Sequence, residues 1–323
     1  MRKNTNTVHV EGRIYQHTLE VKTVQNQKSE NYGKPFIKGI IEVATDNEGL
    51  NIIPVDFMYV AEKIKKGAAN KTYSEMMKII NSGKTVLNDG FENATMVSID
   101  TAIAMKDFVA ADDSMVSQVI LQGGFINVVS KIQENESERC KFKADVVVTN
   151  VNRVEADPEK FIDADYVAVR CAAFDFRNAL LPMELVVKNP GGMSYFENLD
   201  VTNANPVYTQ VWGILNFKTV SVNVTEESAF GEAAVTKRDR KVKHWTITGA
   251  SKVPYDFGDE KVMTVAELTK AMQDREVLLA EVRKNRETYL AEKAANAAAP
   301  SAFGATPAPA PAMGTVAPGG FSF

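Results

Sequence analysis

The stretch that decides the fold is residues 7–24, which read TVHVEGRIYQHTLEVKTV. Apolar side chains alternate with polar ones at Val8 and Val10, and again from Leu19, which is the period of a β-strand. Gly12 lies between these two runs, where a bent strand favours a residue without a side chain. The sequence therefore predicts that the chain opens with a long, kinked strand.

More strand-like runs and one helix follow in the first half of the chain. Residues 35–45 and 50–60 complete a three-strand meander with the first strand, and residues 73–80 have helical spacing. Strands resume at residues 115–132 and 141–154, which are rich in valine and isoleucine. Three strands, a short helix and two strands are the order of an OB-fold barrel, which binds oligonucleotides or oligosaccharides on one face.

The predicted fold class is mainly β, with tandem OB-fold-like barrels followed by a C-terminal helix and a disordered tail. The first OB-like barrel is expected over residues 1–157, with an insertion at residues 82–114 that holds an extra strand near residues 94–99. A second OB-like β-domain is expected over residues 158–258, because its sequence weakly repeats the first unit. Its strand-like runs cover residues 166–176, 183–187, 195–201, 206–224 and 244–254.

The C-terminal part of the chain has a different pattern. Thr264 and Glu267 have the spacing of a capping box, and apolar residues follow at three- and four-residue steps. These signals predict an amphipathic helix over residues 259–295, which packs on the second barrel or pairs with another helix. Alanine, proline and glycine dominate residues 296–323, which predicts a flexible tail.

Composition sets limits on the partners and the compartment. The 323 residues carry a net charge of −4, so any binding of nucleic acid depends on local positive patches. Cys140 and Cys171 are too few for a disulfide framework. The sequence has neither the apolar stretch of a signal peptide nor a run of about 20 apolar residues that spans a bilayer. We therefore expect a cytoplasmic protein, in the host cell cytoplasm if a phage encodes it.

Motifs of catalysis are incomplete. Residues 82–85, SGKT, resemble the end of a phosphate-binding loop, but the glycine required five residues before Gly83 is Lys78. The three histidines share no metal-ligand spacing with a cysteine or a carboxylate. We therefore expect a protein that is not an enzyme and that has no catalytic residue, metal or cofactor.

Basic residues alternate with aromatic ones at several places, which is the pattern needed to hold single strands. Cations meet phosphates while aromatic rings stack on bases, and each stacked base contributes about 1–3 kcal/mol. The densest case is residues 237–243, where five cations and one acid give a charge of +4 just before Trp245. The candidate DNA-binding residues are Lys34, Phe36, Lys38, Arg139, Lys141, Lys143, Arg177, Trp212, Lys218, Lys237, Arg238, Arg240, Lys241, Lys243 and Trp245.

Each of these residues has an alternative, structural role. Half of the positions of a strand face the core, and cations beside strands also protect sheet edges from aggregation. Within residues 34–38, strand parity puts Phe36 on the same face as both lysines. Within residues 139–143, the same parity sets the three cations opposite Phe142. The cations of that second group are therefore candidates for binding, whereas its phenylalanine is not.

Short motifs resemble those of the single-stranded DNA-binding proteins, especially large phage-type versions. Residues 8–14, VHVEGRI, resemble the V-x-V-x-G-R-I strand that begins bacterial members. Residues 33–38, GKPFIK, resemble the turn into their second strand, and the resemblance covers about the first half of the chain. It implies OB barrels, sequence-tolerant binding of single-stranded DNA, and roles in DNA replication, recombination or repair.

The resemblance also implies a C-terminal tail that recruits other replication proteins. Family tails are acidic and end in Pro-Phe, whereas residues 319–323 read GGFSF and carry no acid. Phe321 and Phe323 are therefore candidate partner-binding residues, with an inert terminus as the alternative. An alternative to the DNA-binding hypothesis is a β-rich virion structural or assembly protein, whose helix and tail mediate contacts between subunits.

Overall fold

The computed structural model describes residues 4–157, 160–202, 205–226, 234–257 and 263–298, and the side chains of residues 220–226, 234–239 and 295–298 lie outside this description. The strands are β1 Asn6–His17, β2 Glu20–Thr23, β3 Pro35–Ala44, β4 Ile52–Ala61, β5 Met96–Val109, β6 Met115–Val128, β7 Cys140–Val154, β8 Tyr166–Phe174, β9 Leu180–Val187, β10 Val207–Glu226 and β11 Ala234–Ala250. The helices are α1 Lys71–Ser82, α2 Val86–Asp89, α3 Pro190–Glu197 and α4 Val265–Ala298.

Five strands close into a first ring. β1 pairs with β5 on one side and, beyond its bend, with β3 on the other. β3 pairs with β4, β4 lies parallel to β6, and β6 returns to β5. α1 lies between the third and fourth strands of this ring. This is the order of elements that the sequence pattern predicted for an OB barrel.

A second ring repeats this connectivity. β7 pairs with β8 and β10, β8 pairs with β9, and β10 pairs with β11. A parallel contact between β9 and β11 closes the ring, and α3 lies between its third and fourth strands. Each ring therefore has its parallel pair between the third and fifth strands and its helix after the third strand.

Gly12 lets β1 lie close to β3. A Cβ atom at this position would lie 2.1 Å from the carbonyl oxygen of Ala44 on β3, far inside van der Waals contact. The missing side chain lets β1 leave its pairing with β7 and begin its pairing with β3 at Arg13. Gly12 therefore lies where β1 changes its pairing partner, and this change closes the first ring; the kink itself stays a prediction.

A strand pairing and a turn join the rings. β1 and β7 pair antiparallel from Asn6–Ala144 to Val10–Cys140, so both rings belong to one sheet. The turn between β3 and β4 reaches β10, where the Asn51 side chain donates to the Leu215 carbonyl at 2.9 Å and accepts from the Phe217 amide at 2.6 Å. One hydrophobic core runs through both rings.

Two predicted strand assignments are wrong. Residues 141–154, predicted as the last strand of the first barrel, form β7 and close the second ring. β5 completes the first ring instead and begins within residues 82–114, the predicted insertion. The predicted strand at residues 195–201 is absent: residues 195–197 are the end of α3, which Asn189 caps and Pro190 begins, and residues 198–199 form a turn.

The C-terminal helix was predicted correctly, and its capping box is present. The Glu267 carboxylate accepts from the Thr264 amide at 2.9 Å, and the Thr264 hydroxyl accepts from the Glu267 amide at 3.2 Å. Leu268 packs with Phe174 and Tyr208 of the second ring. The mainly β fold with a C-terminal helix is therefore confirmed. Most of the predicted tail, residues 299–323, lies outside the described residues.

Candidate nucleic-acid interface

An aromatic pair lies on the outer surface of the first ring, which we call the β3–β4 face. It consists of Phe36 on β3, Tyr59 on β4 and the lysines Lys22 and Lys38. The Phe36 and Tyr59 rings are 4.8 Å apart between centroids and tilted by 30°. Tyr59 is 47% exposed, and Lys22 is the direct cross-strand neighbour of Phe36. The face therefore offers an accessible ring surface with ammonium groups beside it.

Glu20 on β2 lies between these lysines and reduces their combined charge. Its carboxylate is 2.9 Å from the Lys22 ammonium and 3.6 Å from the Lys38 ammonium. The hydrogen bond from Lys22, with the charge of Lys38, holds the pKa of Glu20 below its ordinary value. The same hydrogen bond raises the pKa of Lys22. At neutral pH this trio therefore keeps one net positive charge.

The structure brings together the residues predicted at the start of β3. Lys34 is exposed and donates to the Asn31 side chain at 3.1 Å, while Phe36 and Lys38 are partly exposed. Alternation along β3 was sufficient to find these residues. Tyr59 and Lys22 were missed, because they reach the face through pairing of β3 with β4 and β2. A single strand's sequence does not contain that pairing.

A second group lines an open cleft where the rings meet, which we call the inter-ring cleft. The cleft has a volume of about 600 Å³ and is formed by β1, β5, β6, β7 and β10. Three predicted residues, Lys141, Lys143 and Trp212, lie in its wall. Phe125 of β6 lies there too and was not predicted, since nothing in its local pattern distinguishes it from a core phenylalanine.

Arg139 does not fit its predicted role as a DNA ligand. Its guanidinium is buried, and it donates to the carbonyl of Glu134 at 3.2 Å and to the side chain of Asn47 at 2.8 Å. These bonds tie the loop before β7 to the turn between β3 and β4. A buried guanidinium bonded to carbonyl oxygens is not available to phosphate, so Arg139 is a structural residue.

Trp245 was also predicted as a ligand, and the structure places it in the core. It is 6% exposed and meets the Phe142 ring edge-on at 5.4 Å between centroids. The fully buried Phe142, between the exposed Lys141 and Lys143, confirms the predicted parity for these three residues, whereas Arg139 is buried. Trp245 is therefore unavailable for stacking on a base.

The basic segment before Trp245 is part of a strand. Residues 237–243 lie in β11, paired along their length with β10 in a long hairpin. Lys241 and Lys243 are exposed, and the Lys243 ammonium is 5.8 Å from the centre of the Phe217 ring. Arg240 is exposed and donates to the Lys160 carbonyl at 3.5 Å. The side chains of Lys237 and Arg238 lie outside the described residues.

The remaining predicted residues are scattered. Arg177 lies in the turn after β8, with its guanidinium 5.0 Å from the exposed Phe176 ring. Lys218 on β10 forms an ion pair with Asp46 at 3.4 Å. Phe321 and Phe323 are outside the described residues. The exposed predicted residues are thus divided among the β3–β4 face, the inter-ring cleft, the β10–β11 hairpin and the turn after β8.

The described part of the chain contains no group of three or more histidine, cysteine, aspartate or glutamate side chains placed to hold a metal ion. None of its described helices combines the length and the apolar character needed to cross a membrane.

The fold and these surfaces define a mainly β protein with two five-stranded rings and accessible aromatic and basic side chains. The YorF family model matches residues 4–285, and the chain belongs to the YorF family. A search of the curated proteins finds no match to it.

Several solved structures are similar to this chain. A deletion mutant of the single-stranded DNA binding protein from Thermus aquaticus is 12% identical over 80% of this chain and 100% of its own, with a TM-score of 0.45. The wild-type protein gives 10% identity over 79% and 96%, with a TM-score of 0.43. A Replication Protein A heterotrimer bound to ssDNA gives 9% identity over 86% and 70%, with a TM-score of 0.18.

Proposed function

We propose that this protein binds single-stranded DNA without sequence preference and performs no catalysis. The observation that carries the proposal is the pair formed by the partly exposed Phe36 and the exposed Tyr59 on the β3–β4 face, with Lys22 and Lys38 beside it. Every base has an aromatic face, so stacking on such a pair is strong and tolerates any sequence. The neighbouring ammonium groups supply contacts to phosphates on either side of a stacked base.

The location of this pair within the ring supports the same function. β3 and β4 are the second and third strands of the first ring, and this is the face on which OB barrels bind oligonucleotides. Further cations are exposed elsewhere, at Lys141, Lys143 and Lys241. A chain of net charge −4 that binds a polyanion depends on such local concentrations of positive charge.

The proposal extends to organisation and biological role. The two rings would be tandem OB domains, with their boundary in the segment between β6 and β7, before the limit at residue 157 that the sequence suggested. A protein of this kind would act where single strands are exposed, in DNA replication, recombination or repair. Recruitment of partners by Phe321 and Phe323, a phage origin and a cytoplasmic location stay predictions.

Fluorescence anisotropy of a labelled oligo-dT tests the function, with Tyr59→Ala as the decisive variant. We expect binding at low salt and a loss of affinity of about five- to a hundredfold in Tyr59→Ala, as for other stacked bases. Tyr289→Ala on α4 is a matched control, because this tyrosine is 55% exposed and lies outside both surfaces. It should bind like the wild type.

Salt dependence provides a second measurement on the same samples. Affinity should fall as salt rises, with a logarithmic slope of about −0.7 per phosphate contacted. Absence of binding at low salt would overturn the proposal. Large assemblies of the protein that ignore oligo-dT would instead favour a structural or assembly role. Tighter binding of oligo-U than of oligo-dT would assign the site to RNA.

A further inference from the structure

The inter-ring cleft lies outside the β3–β4 face. Its floor is a row of directly opposed residues that crosses the junction of the rings: Phe125 on β6, Asp100 on β5, His9 on β1 and Lys141 on β7. Lys143 is two residues further along β7, where it is opposed to Trp212 on β10. The cleft therefore has an aromatic residue at each end and two lysines between them.

A backbone irregularity turns Phe125 toward solvent. The pairing of β5 with β6 shifts register beside Asp100, and Gly123 and Gly124 there have φ angles of +68° and +106°. A Cβ atom at Gly124 would lie 2.0 Å from the Asp100 carbonyl oxygen. The glycines permit this bulge, and Phe125 beyond it is 72% exposed. A phenylalanine presented in this way contributes little to the core.

Gly249 on β11 leaves space for the Trp212 indole. A Cβ atom at Gly249, its partner on β11, would lie 2.4 Å from the Trp212 Nε1 atom, so the indole rests against the β11 backbone. The pairing of β10 with β11 shifts register directly after Trp212. The indole remains 40% exposed and faces the cleft. Two large aromatic side chains are thus exposed in one concave surface, unlike apolar residues scattered singly.

The charges of the cleft suit an anionic chain. Lys141 and Lys143 are exposed on the same side of β7, and Lys141 also forms an ion pair with Glu138. The anionic residue of the floor is Asp100, and its carboxylate is held by His9 Nδ1 at 2.7 Å. Neighbouring strands lie about 4.8 Å apart, so Phe125 and Trp212, four strands apart, are separated by up to roughly 19 Å. They would therefore stack on different bases.

We infer that the inter-ring cleft is a second binding site for single-stranded nucleic acid. Phe125 and Trp212 stack on two separate bases, and Lys141 and Lys143 contact the phosphates between them. The inference rests on the proposed function and adds to it a path by which a strand crosses from the first ring to the second. The linked surfaces would bind one long strand more tightly than either surface alone.

Tryptophan fluorescence gives a direct test. The chain has two tryptophans, and Trp245 is in the core, so oligo-dT should quench the emission of Trp212. Trp212→Phe leaves only Trp245 and should lose most of this quenching. Phe125→Ala should lower affinity for a long oligo-dT by about five- to a hundredfold, and Tyr289→Ala should leave it unchanged. Thermal unfolding checks that each variant is folded.

The outcomes separate this inference from the proposed function. If the wild type binds oligo-dT without quenching and Phe125→Ala keeps full affinity, the cleft is not a binding site. The proposal for the β3–β4 face would be unaffected by that result. Equal quenching in the wild type and in Trp212→Phe would also overturn it, since the signal would then come from Trp245. Failure of the wild type to bind at all would remove both proposals. Phe125→Ala keeps both tryptophans, so its affinity tests the cleft even if Trp212→Phe does not fold.

Discussion

Asn51 shows how one side chain can join two rings. It is buried, and its amide group donates to the Leu215 carbonyl while its carbonyl oxygen accepts from the Phe217 amide. A third bond runs to the Thr45 hydroxyl at 2.8 Å. Asn51 therefore bonds to two backbone groups of β10 from the opposite ring.

Substitution of Asn51 by alanine should destabilise the protein by about 2–6 kcal/mol. The estimate counts two buried backbone groups left without a partner, at about 1–3 kcal/mol each. Urea unfolding measures the change, and Asn285→Ala, at an exposed position of α4, is the control. A stability loss below about 0.5 kcal/mol in Asn51→Ala, as expected for a surface position, would contradict the role of this residue.

Sequence alone predicted some side-chain directions and not others. Strand parity correctly placed Phe36 beside Lys38 on the surface and Phe142 in the core, because alternation fixes relative direction within one strand. Trp245 was predicted to bind DNA but is in the core, since parity does not say which face of β11 is covered. Arg139 was misassigned for a similar reason: two of its partners, Thr45 and Asn47, lie in a turn that is distant in sequence.

At the scale of elements, α4 is attached at two places. Its first turns pack on the second ring through Met263 and Leu268. Arg275 then reaches the hairpin of β5 and β6 in the first ring, donating to the Asp107 carboxylate at 2.6 Å and to the Ser117 hydroxyl at 3.0 Å. In the sequence, Arg275 is a charged residue among the apolar residues that recur at three- and four-residue steps in this helix. In the structure it makes α4 a third link between the rings.

Asp107→Asn should loosen α4 from the first ring. Both side chains of the ion pair are largely buried, and breaking such a pair costs about 3–5 kcal/mol because it leaves a buried charge without its partner. Hydrogen exchange along α4 should accelerate from Arg275 onward. Asp274→Asn removes an exposed ion pair with Lys270 on the same helix and should cost less than about 1 kcal/mol. Equal exchange in the two variants would contradict this.

The elements themselves were predicted better than their pairing. The period-two runs located β1, β3, β4, β8 and β9, and the capping box located the start of α4. The ring to which β7 belongs was not predictable, because its pairing partners, β8 and β10, are decided by contacts between residues distant in sequence. The cleft depends on that same assignment, so its aromatic ends were not recognised as one site.

At the scale of the molecule, ionisable groups buried in both rings define a pH range of maximum stability. Burial lowers the pKa of His17 and of His244 below the ordinary value of 6.5. Burial alone would raise the pKa of Asp107, but hydrogen bonds from Arg275 and Ser117 hold it below the ordinary value of 3.8. Burial raises the pKa of the Cys140 thiol to about 12, and it also raises that of Cys171.

These directions predict a plateau of stability between about pH 6.5 and pH 9. Below pH 6.5 the unfolded histidines bind protons that the folded ones resist, so stability falls as pH decreases, and Asp107 adds a second loss below about pH 4. Above pH 9 the unfolded thiols ionise while the buried ones do not, so stability falls again. Urea midpoints measured from pH 4 to pH 10 test the profile. His244→Gln should weaken the loss of stability on the acid side of the plateau, and Cys140→Ala should weaken it on the alkaline side. A pH profile that is unchanged in both variants would contradict the assignment of these losses to the histidines and the thiols.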